Sequence, residues 1–113
     1  MTKADVILRG GQIVDVSTRT LIRQDVGITD GLITFDAADA NEIIEIDGAY
    51  IAPGLIDAHM HVESTMLPPS GFCNLAVPRG TTTVVLDPHE IANVLGIAGI
   101  KLIMDDAKNL PID

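Results

Sequence analysis

The spacing of apolar residues changes at Ala52-Pro53-Gly54, and this change constrains the fold more than any other feature of the 113-residue chain. Before it, short apolar runs alternate with polar turns, which is typical of consecutive β-strands. After it, strand-like runs alternate with longer segments at helical spacing, which is typical of βα units. The sequence therefore predicts an α/β chain with a β-rich part at residues 1–54 and a βα part at residues 55–113.

The β-rich part is predicted to form a small sandwich or open barrel, because its short strands follow one another at close spacing. Asp30-Gly31 lies between two apolar runs and is a strong signal for a tight hairpin. The predicted strands are Ala4–Arg9, Gln12–Val16, Thr20–Ile28, Gly31–Phe35, Ile43–Ile46 and Tyr50–Ile51.

The βα part is predicted to contain two parallel strands, each followed by a helix. Strand Thr81–Leu86 is β-branched and uncharged, as expected for a parallel strand that is covered on both faces. Gly96 and Gly99 weaken the second helix without dividing it. A barrel of eight such units needs about 200–250 residues, so we expect a truncated chain that contains the first two units. The predicted elements are strand Leu55–His61, helix Pro69–Val77, strand Thr81–Leu86 and helix Ile91–Asn109.

The composition argues against several classes of partner. Sixteen acidic residues against seven basic ones give a net charge of −9, which repels nucleic-acid phosphates and anionic lipids. The one cysteine, Cys73, rules out an internal disulfide framework and is expected to be a buried apolar residue. No segment resembles a signal peptide or a membrane span, so we expect a soluble cytoplasmic protein.

His59 and His61 follow an apolar strand behind Pro53-Gly54, and they are the strongest chemical signal in the sequence. Side chains two residues apart on a strand point the same way, so the two imidazoles share a face with Asp57. Two such histidines are common by chance on surfaces, but the carboxyl end of a predicted barrel strand favours a divalent metal site. Manganese, iron and zinc all suit these ligands. Asp57 is expected either to orient a ligand histidine or to satisfy backbone groups.

Several strings are similar to one family of metal-dependent hydrolases. Val6–Gly11, Ile51–His61 and the sudden start of the βα pattern resemble the amidohydrolase superfamily. Within it, the strings His59–Met66, Pro78–Val85 and Asp87–Val94 resemble the adenine deaminase branch. The resemblance covers essentially the whole chain and is that of the N-terminal portion of such an enzyme.

The resemblance implies a β-strand subdomain joined to a (β/α)8 barrel whose first strand ends in the metal ligands His59 and His61. It implies that adenine, a small-molecule substrate, is hydrolysed to hypoxanthine and ammonia. A divalent transition metal would activate the water, and a carboxylate would carry the protons. In this family the other ligands and that carboxylate come from later strands, which implies that residues 1–113 alone are inactive.

Three further residues are candidates for contact with the substrate or for catalysis. Glu63 is expected to face the substrate or to act as a capping or loop carboxylate. His89 is expected beside the metal ligands or facing the substrate, because the usual ligands of the superfamily do not come from the second strand. Glu90 lies in the first turn of the next helix, where a carboxylate also complements the helix dipole. Ser64 and Thr65 have no evident base beside them, which argues against a nucleophile.

Two other interpretations compete with this one. A cyclic amide hydrolase of the dihydroorotase kind belongs to the same superfamily, but the string Asp87–Val94 argues against it. A non-catalytic fragment that only self-associates through an open strand edge is the interpretation from another class. In either case we expect a homo-oligomer or another self-associated form.

Overall fold

The described residues, 3–113 in the computed structural model, fold as two units, of which the first ends at Pro53 and the second spans Gly54–Asp113. In the first unit they form seven short strands, which are Lys3–Arg9 (β1), Gln12–Asp15 (β2), Thr20–Arg23 (β3), Val26–Thr29 (β4), Leu32–Thr34 (β5), Asp39–Glu45 (β6) and Tyr50–Ile51 (β7). One sheet has the strand order β5-β4-β1-β6, and the other has the order β3-β2-β7.

Strand β1 lies inside the four-stranded sheet and supplies part of the core of the first unit. It pairs antiparallel with β4 and parallel with β6, so Ile7 lies opposite both Gly27 and Ile43. Ala4 and Ile7 of β1 pack with Ala40 of β6, and all three are buried. This core is aliphatic, as the scarcity of aromatic residues predicts.

The hairpin predicted at Asp30-Gly31 is confirmed. Strands β4 and β5 pair antiparallel with Thr29 opposite Leu32. The two turn residues, Asp30 and Gly31, have φ angles of 49° and 75°. Positive φ at both central positions is the turn geometry that matches the twist of two antiparallel strands.

The single strand predicted over Thr20–Ile28 is wrong, because the structure divides it into β3 and β4, which belong to different sheets. The polar pair Gln24-Asp25 separates them. The Asp25 carboxylate accepts a hydrogen bond from Gly10 N at 3.0 Å and lies 3.7 Å from the Arg9 guanidinium. These contacts hold Asp25 against the turn after β1, and the chain changes sheets there.

Asp15 closes the turn between β2 and β3. Its Oδ1 accepts hydrogen bonds from Ser17 Oγ at 2.6 Å and from the backbone nitrogens of Ser17 and Thr18. The side-chain hydrogen bond of Ser17 and those of Thr18 lower the pKa of Asp15 to about 2, because they stabilise the carboxylate form.

The second unit contains two parallel strands and three helices among its described residues. They are Leu55–Met60 (β8), Pro69–Ala76 (α1), Thr81–Leu86 (β9), His89–Leu95 (α2) and Ile97–Ala107 (α3), with 3₁₀ turns at Val62–Thr65 and Val77–Arg79. Strand β8 pairs with β9 in parallel, as predicted. The backbone of Asp113 also bonds to β9, because its nitrogen donates to Thr82 O at 2.9 Å and its oxygen accepts from Val84 N at 2.7 Å.

The single helix predicted over Ile91–Asn109 is wrong, because the chain forms two helices that meet at Gly96. Gly96 has a φ of 60° and a ψ of −144°, a conformation that residues with a Cβ rarely adopt. A Cβ at Gly99 would lie 2.7 Å from the carbonyl oxygen of Ile91. Gly99 therefore allows α3 to approach α2 closely, and α2 itself begins earlier than predicted, at His89.

Helix α1 is joined to α3 through Asp106. Pro68, which precedes the first turn of α1, makes no side-chain cap. Asp106 instead accepts hydrogen bonds from Ser70 N at 2.7 Å and from Ser70 Oγ at 3.2 Å. Cys73 of α1 and Ile103 of α3 are buried, which confirms the expectation for the cysteine. Among residues 3–113, no helix has the length and apolar character that crossing a membrane requires.

Candidate metal centre

The carboxyl ends of β8 and β9 lie at one edge of the parallel pair and carry the candidate site residues. Asp87 N donates a hydrogen bond to Met60 O at 3.0 Å, so the segments that leave the two strands begin side by side. The register of the pair shifts between Asp57 and Met60. The 3₁₀ turn Val62–Thr65 follows β8, and α2 follows β9, so each strand delivers its own set of side chains to this edge.

His59 and His61 bring their Nε2 atoms to 2.9 Å from each other, as expected for two side chains on one face of a strand. The rings stand edge to face with their centroids 4.7 Å apart. Nδ1 of His61 lies 2.8 Å from the main-chain carbonyl oxygen of Asp87. Since a carbonyl oxygen only accepts, this Nδ1 carries the proton, and the Nε2 of the neutral ring presents its lone pair toward His59.

Asp87 forms a group of three potential metal ligands with His59 and His61. One ligand atom from each residue lies within 4.8 Å of the others. Asp87 was not among the expected ligands, because the resemblance implies that second-strand residues do not bind the metal directly. The signal that could have found it is its position directly after β9, since the carboxyl ends of neighbouring parallel strands meet at the same edge.

The donor set of this group fits a divalent transition metal. Zinc, manganese and iron all accept two imidazole nitrogens and a carboxylate oxygen as ligands. The hydrogen bond from His61 Nδ1 to a main-chain carbonyl is the usual contact that fixes the tautomer of a ligand histidine. His59 and Asp87 are exposed and His61 is half-buried, so a cation can reach the group from solvent.

Asp57 supports the backbone beside the first histidine. Its Oδ1 accepts a hydrogen bond from His59 N at 3.1 Å. Of the two roles expected for Asp57, this contact corresponds to the satisfaction of a backbone group. It also restrains the main chain at His59, from which the imidazole projects.

His89 lies beside the three-residue group, in the first turn of α2. Its Nδ1 is 3.2 Å from Asp87 Oδ2, and its ring stands edge to face against His61 with centroids 4.6 Å apart. The three imidazoles therefore form a row with His61 in the middle. Both contacts place His89 next to the potential metal ligands.

Glu63 and Glu90 join the 3₁₀ turn after β8 to the start of α2. Glu63 Oε1 accepts a hydrogen bond from Ile91 N at 3.3 Å. Glu90 Oε1 accepts one from Ser64 Oγ at 2.7 Å, and Glu90 lies in the first turn of α2, as predicted. Each carboxylate thus contacts the neighbouring segment rather than its own.

The amidohydrolase family matches residues 50–113, which include every candidate residue of the site. The chain is also similar to curated proteins named adenine deaminase. The protein from Geobacillus kaustophilus (strain HTA426) is 48% identical over 113 residues, which cover 99% of this chain and 20% of the relative. The protein from Paracoccus denitrificans (strain Pd 1222) is 50% identical, covering 96% of this chain and 20% of the relative. The chain therefore spans about one fifth of the length of these relatives.

Solved structures of related enzymes share the backbone arrangement. A D-aminoacylase mutant in complex with copper chloride superposes with a TM-score of 0.62 at 30% identity, covering 74% of this chain and 18% of that chain. An N-acyl-D-glutamate deacylase from Bordetella bronchiseptica, complexed with zinc and a phosphonate inhibitor, gives a TM-score of 0.58 at 30% identity. It covers 75% of this chain and 19% of that chain.

Proposed function

We propose, from the premise that this chain belongs to the amidohydrolase family, that it forms part of an adenine deaminase, which hydrolyses adenine to hypoxanthine and ammonia. The observation that carries the proposal is the approach of the His59 and His61 Nε2 atoms at the end of β8. The similarity to relatives named adenine deaminase supports the choice of substrate. Conversion of a free purine base suggests a place in purine salvage in the cytoplasm.

His59 and His61 are the metal ligands in this proposal, and Asp87 is the candidate third donor. A manganese, iron or zinc ion held by these residues would supply the Lewis acidity that allows water to act as the nucleophile near neutral pH. The main-chain carbonyl of Asp87 retains the Nδ1 proton of His61, which keeps Nε2 available as a ligand. The Asp57 carboxylate restrains the main chain at His59, so both imidazoles are oriented before the ion binds.

His89 is the residue that we assign to the substrate. It stands next to His61 in the row of imidazoles, on an exposed part of the surface, where a planar base beside the metal would meet it. Glu90 remains a further candidate for contact with the substrate, whereas the carboxylate that carries protons in general acid–base catalysis is expected from a later strand.

We propose that the second unit is the first two βα units of a (β/α)8 barrel, at residues 55–113, and that residues 1–54 are part of a β subdomain. The parallel pairing of β8 with β9 supports the first assignment, and so does the strand-like bonding of Asp113 to β9. An open apolar groove of about 450 Å³ supports the second, because further strands would cover it. Residues from both sheets of the first unit line this groove, among them Ile13, Ile22, Ile33 and Phe35.

An enzyme that contains this sequence tests the proposal. We would replace the matching fifth of the Geobacillus adenine deaminase with residues 1–113, reconstitute the chimera with Mn²⁺, and measure ammonia release from adenine. The chimera should turn over adenine, and His59→Ala should lower kcat/KM by more than about 100-fold, because loss of a ligand exceeds the usual cost of losing an outer contact. Cys73→Ser, at a buried position of α1 away from the strand ends, is the control and should keep its activity.

The same chimera separates the proposal from its rivals. Dihydroorotate and N-acyl-D-glutamate should not be hydrolysed. Ring opening or deacylation without adenine turnover would move the assignment to the amide hydrolases of the family. His89→Ala should lower turnover while the metal content, measured by atomic emission, stays close to that of the parent. Loss of metal together with activity would make His89 a direct ligand.

A further inference from the structure

The segments that follow β8 and β9 are joined by two side-chain contacts beyond the histidines. The Glu63 carboxylate, from the 3₁₀ turn Val62–Thr65, accepts a hydrogen bond from Ile91 N of α2 at 3.3 Å. The Ser64 hydroxyl donates to the Glu90 carboxylate at 2.7 Å. Neither contact involves the potential metal ligands, yet both end in the first turn of α2, which carries His89.

Helix α2 has no cap from its own segment. Pro88 occupies the N-cap position and makes no side-chain hydrogen bond. The first N–H groups of a helix lack partners within the helix, and leaving them without acceptors destabilises the first turn. Ile91 is the third residue of α2, and its N–H is one of the groups that an N-cap side chain would normally satisfy. Glu63 Oε1, from the segment after the neighbouring strand, accepts the hydrogen bond from this N–H in place of an N-cap side chain.

The position of the first turn of α2 decides where His89 stands. His89 is the first residue of this helix, and its ring packs against His61 at 4.6 Å. A carboxylate that fixes Ile91 N therefore also fixes the main chain two residues earlier. Ser64 adds a second hydrogen bond, to Glu90. The turn after β8 therefore contacts two consecutive residues of α2, Glu90 and Ile91.

We propose that Glu63 is a positioning residue whose carboxylate caps α2 across the strand ends and thereby holds His89 against His61. The capping contact itself does not depend on the proposed function. Only its catalytic consequence, the placement of His89 toward the substrate, rests on that function. It assigns Glu63 the role of hydrogen-bond acceptor, with no part in proton transfer or metal binding. Glutamine supplies an acceptor oxygen in the same place, whereas alanine supplies none.

The capping contact is testable in the chimera by a measurement that does not depend on activity. Amide hydrogen exchange of the segment around Ile91, followed by mass spectrometry, should become about fivefold faster in Glu63→Ala, which corresponds to the usual loss of about 1 kcal/mol for a missing cap. Glu63→Gln should exchange within about twofold of the parent. Unchanged exchange in Glu63→Ala, or equal effects of alanine and glutamine, would overturn the proposal.

The catalytic consequence is testable in the chimera by a double-mutant cycle. If Glu63 acts through His89, the loss of kcat in Glu63→Ala/His89→Ala should equal that in His89→Ala alone, because the positioned group is already absent. Glu63→Gln should retain kcat within about threefold, and Ser64→Ala should produce a smaller loss than Glu63→Ala. Additive losses would show that Glu63 acts independently of His89, and a glutamine variant as impaired as alanine would show that the charge of Glu63 is needed; either result would overturn the proposal. An inactive parent chimera would count against the proposed function, whereas the exchange measurement would still decide the role of Glu63.

Discussion

The orientation of His61 depends on a main-chain atom, which has a consequence for every substitution at Asp87. The carbonyl oxygen of Asp87 accepts the hydrogen bond from His61 Nδ1, and the Asp87 carboxylate contacts His89 and lies near the imidazoles. Replacing the side chain removes the carboxylate and leaves the carbonyl in place. Mutation of the side chain can therefore separate the role of the carboxylate from that of the carbonyl. The metal affinity of such a variant measures the contribution of the carboxylate.

Metal titration of the 113-residue chain should reveal an incomplete site. We expect weak binding of Zn²⁺ or Mn²⁺, because two imidazoles and one carboxylate leave the coordination of either ion unfilled. His59→Ala should abolish the binding, and Asp87→Ala should weaken it by about tenfold while His61 keeps its tautomer. Isothermal calorimetry measures both, with Asp105→Ala at an exposed distant position as the control. Tight stoichiometric binding that depends on His59 would contradict the incomplete site.

The histidine pair was predictable from the sequence, whereas Asp87 was not. Strand alternation alone puts His59 and His61 on one face, so their approach required only a correct strand. The proximity of Asp87 depends on the register between β8 and β9, and that register shifts near Asp57. No local pattern encodes a shift of this kind. The contact between Glu63 and Ile91 N is hidden for the same reason, since it joins residues of two strand ends.

At the scale of elements, the structure divides one predicted strand, Thr20–Ile28, and one predicted helix, Ile91–Asn109. Strand Thr81–Leu86 has the predicted bounds, because a β-branched run between Gly80 and Asp87 has few alternatives to the extended conformation. Glycine in a helix costs only about 1 kcal/mol, which packing can offset, so the sequence could not show whether Gly96 divides the helix. The break is accompanied by the close approach of Gly99 to Ile91, a contact between two helices that exists only in the folded chain.

Asp106 and Asp105 provide a matched pair for testing the junction between α1 and α3. Asp106 accepts two hydrogen bonds from Ser70 and substitutes for the missing cap of α1, so Asp106→Ala should destabilise the chain by about 1 kcal/mol. Asp105 only pairs with Lys108 on the surface, and Asp105→Ala should cost less than about 0.5 kcal/mol. Both residues lie near the C-terminal end of α3, where a negative charge interacts unfavourably with the helix dipole. Removing either charge relieves the same effect, so it cancels when the two variants are compared. Thermal unfolding followed by circular dichroism compares them, and equal midpoints would contradict the capping role.

At the scale of the whole molecule, both units leave large apolar side chains in solvent. In the second unit, Ile56 of β8 is 68% exposed, Val94 of α2 is 77% exposed and Ile97 of α3 is 73% exposed. In the first unit, Leu32 and Ile33 of β5 are 72% and 68% exposed. Contiguous apolar surface beyond a few hundred Å² is uncommon on soluble monomers and marks a surface that contacts another protein segment. Strands β8 and β9 have the nearly uncharged composition of strands that are covered on both faces, and an open face is expected where only two βα units are present.

This exposure predicts that the 113-residue chain does not persist as a stable monomer in dilute solution. Burying Val94, Ile97 and their neighbours against a second copy would remove apolar surface from water at about 25 cal/mol per Å², which favours association. Size-exclusion chromatography with light scattering should therefore show an oligomer or a broad distribution of masses. Val94→Glu and Ile97→Glu should shift that distribution toward the monomer, because a buried unpaired carboxylate is costly. Lys101→Glu, also on α3 but already charged, is the control for the introduced acid. A monomeric parent that unfolds in one sharp thermal transition would show that the exposed residues are tolerated and that the two units are stable without a partner.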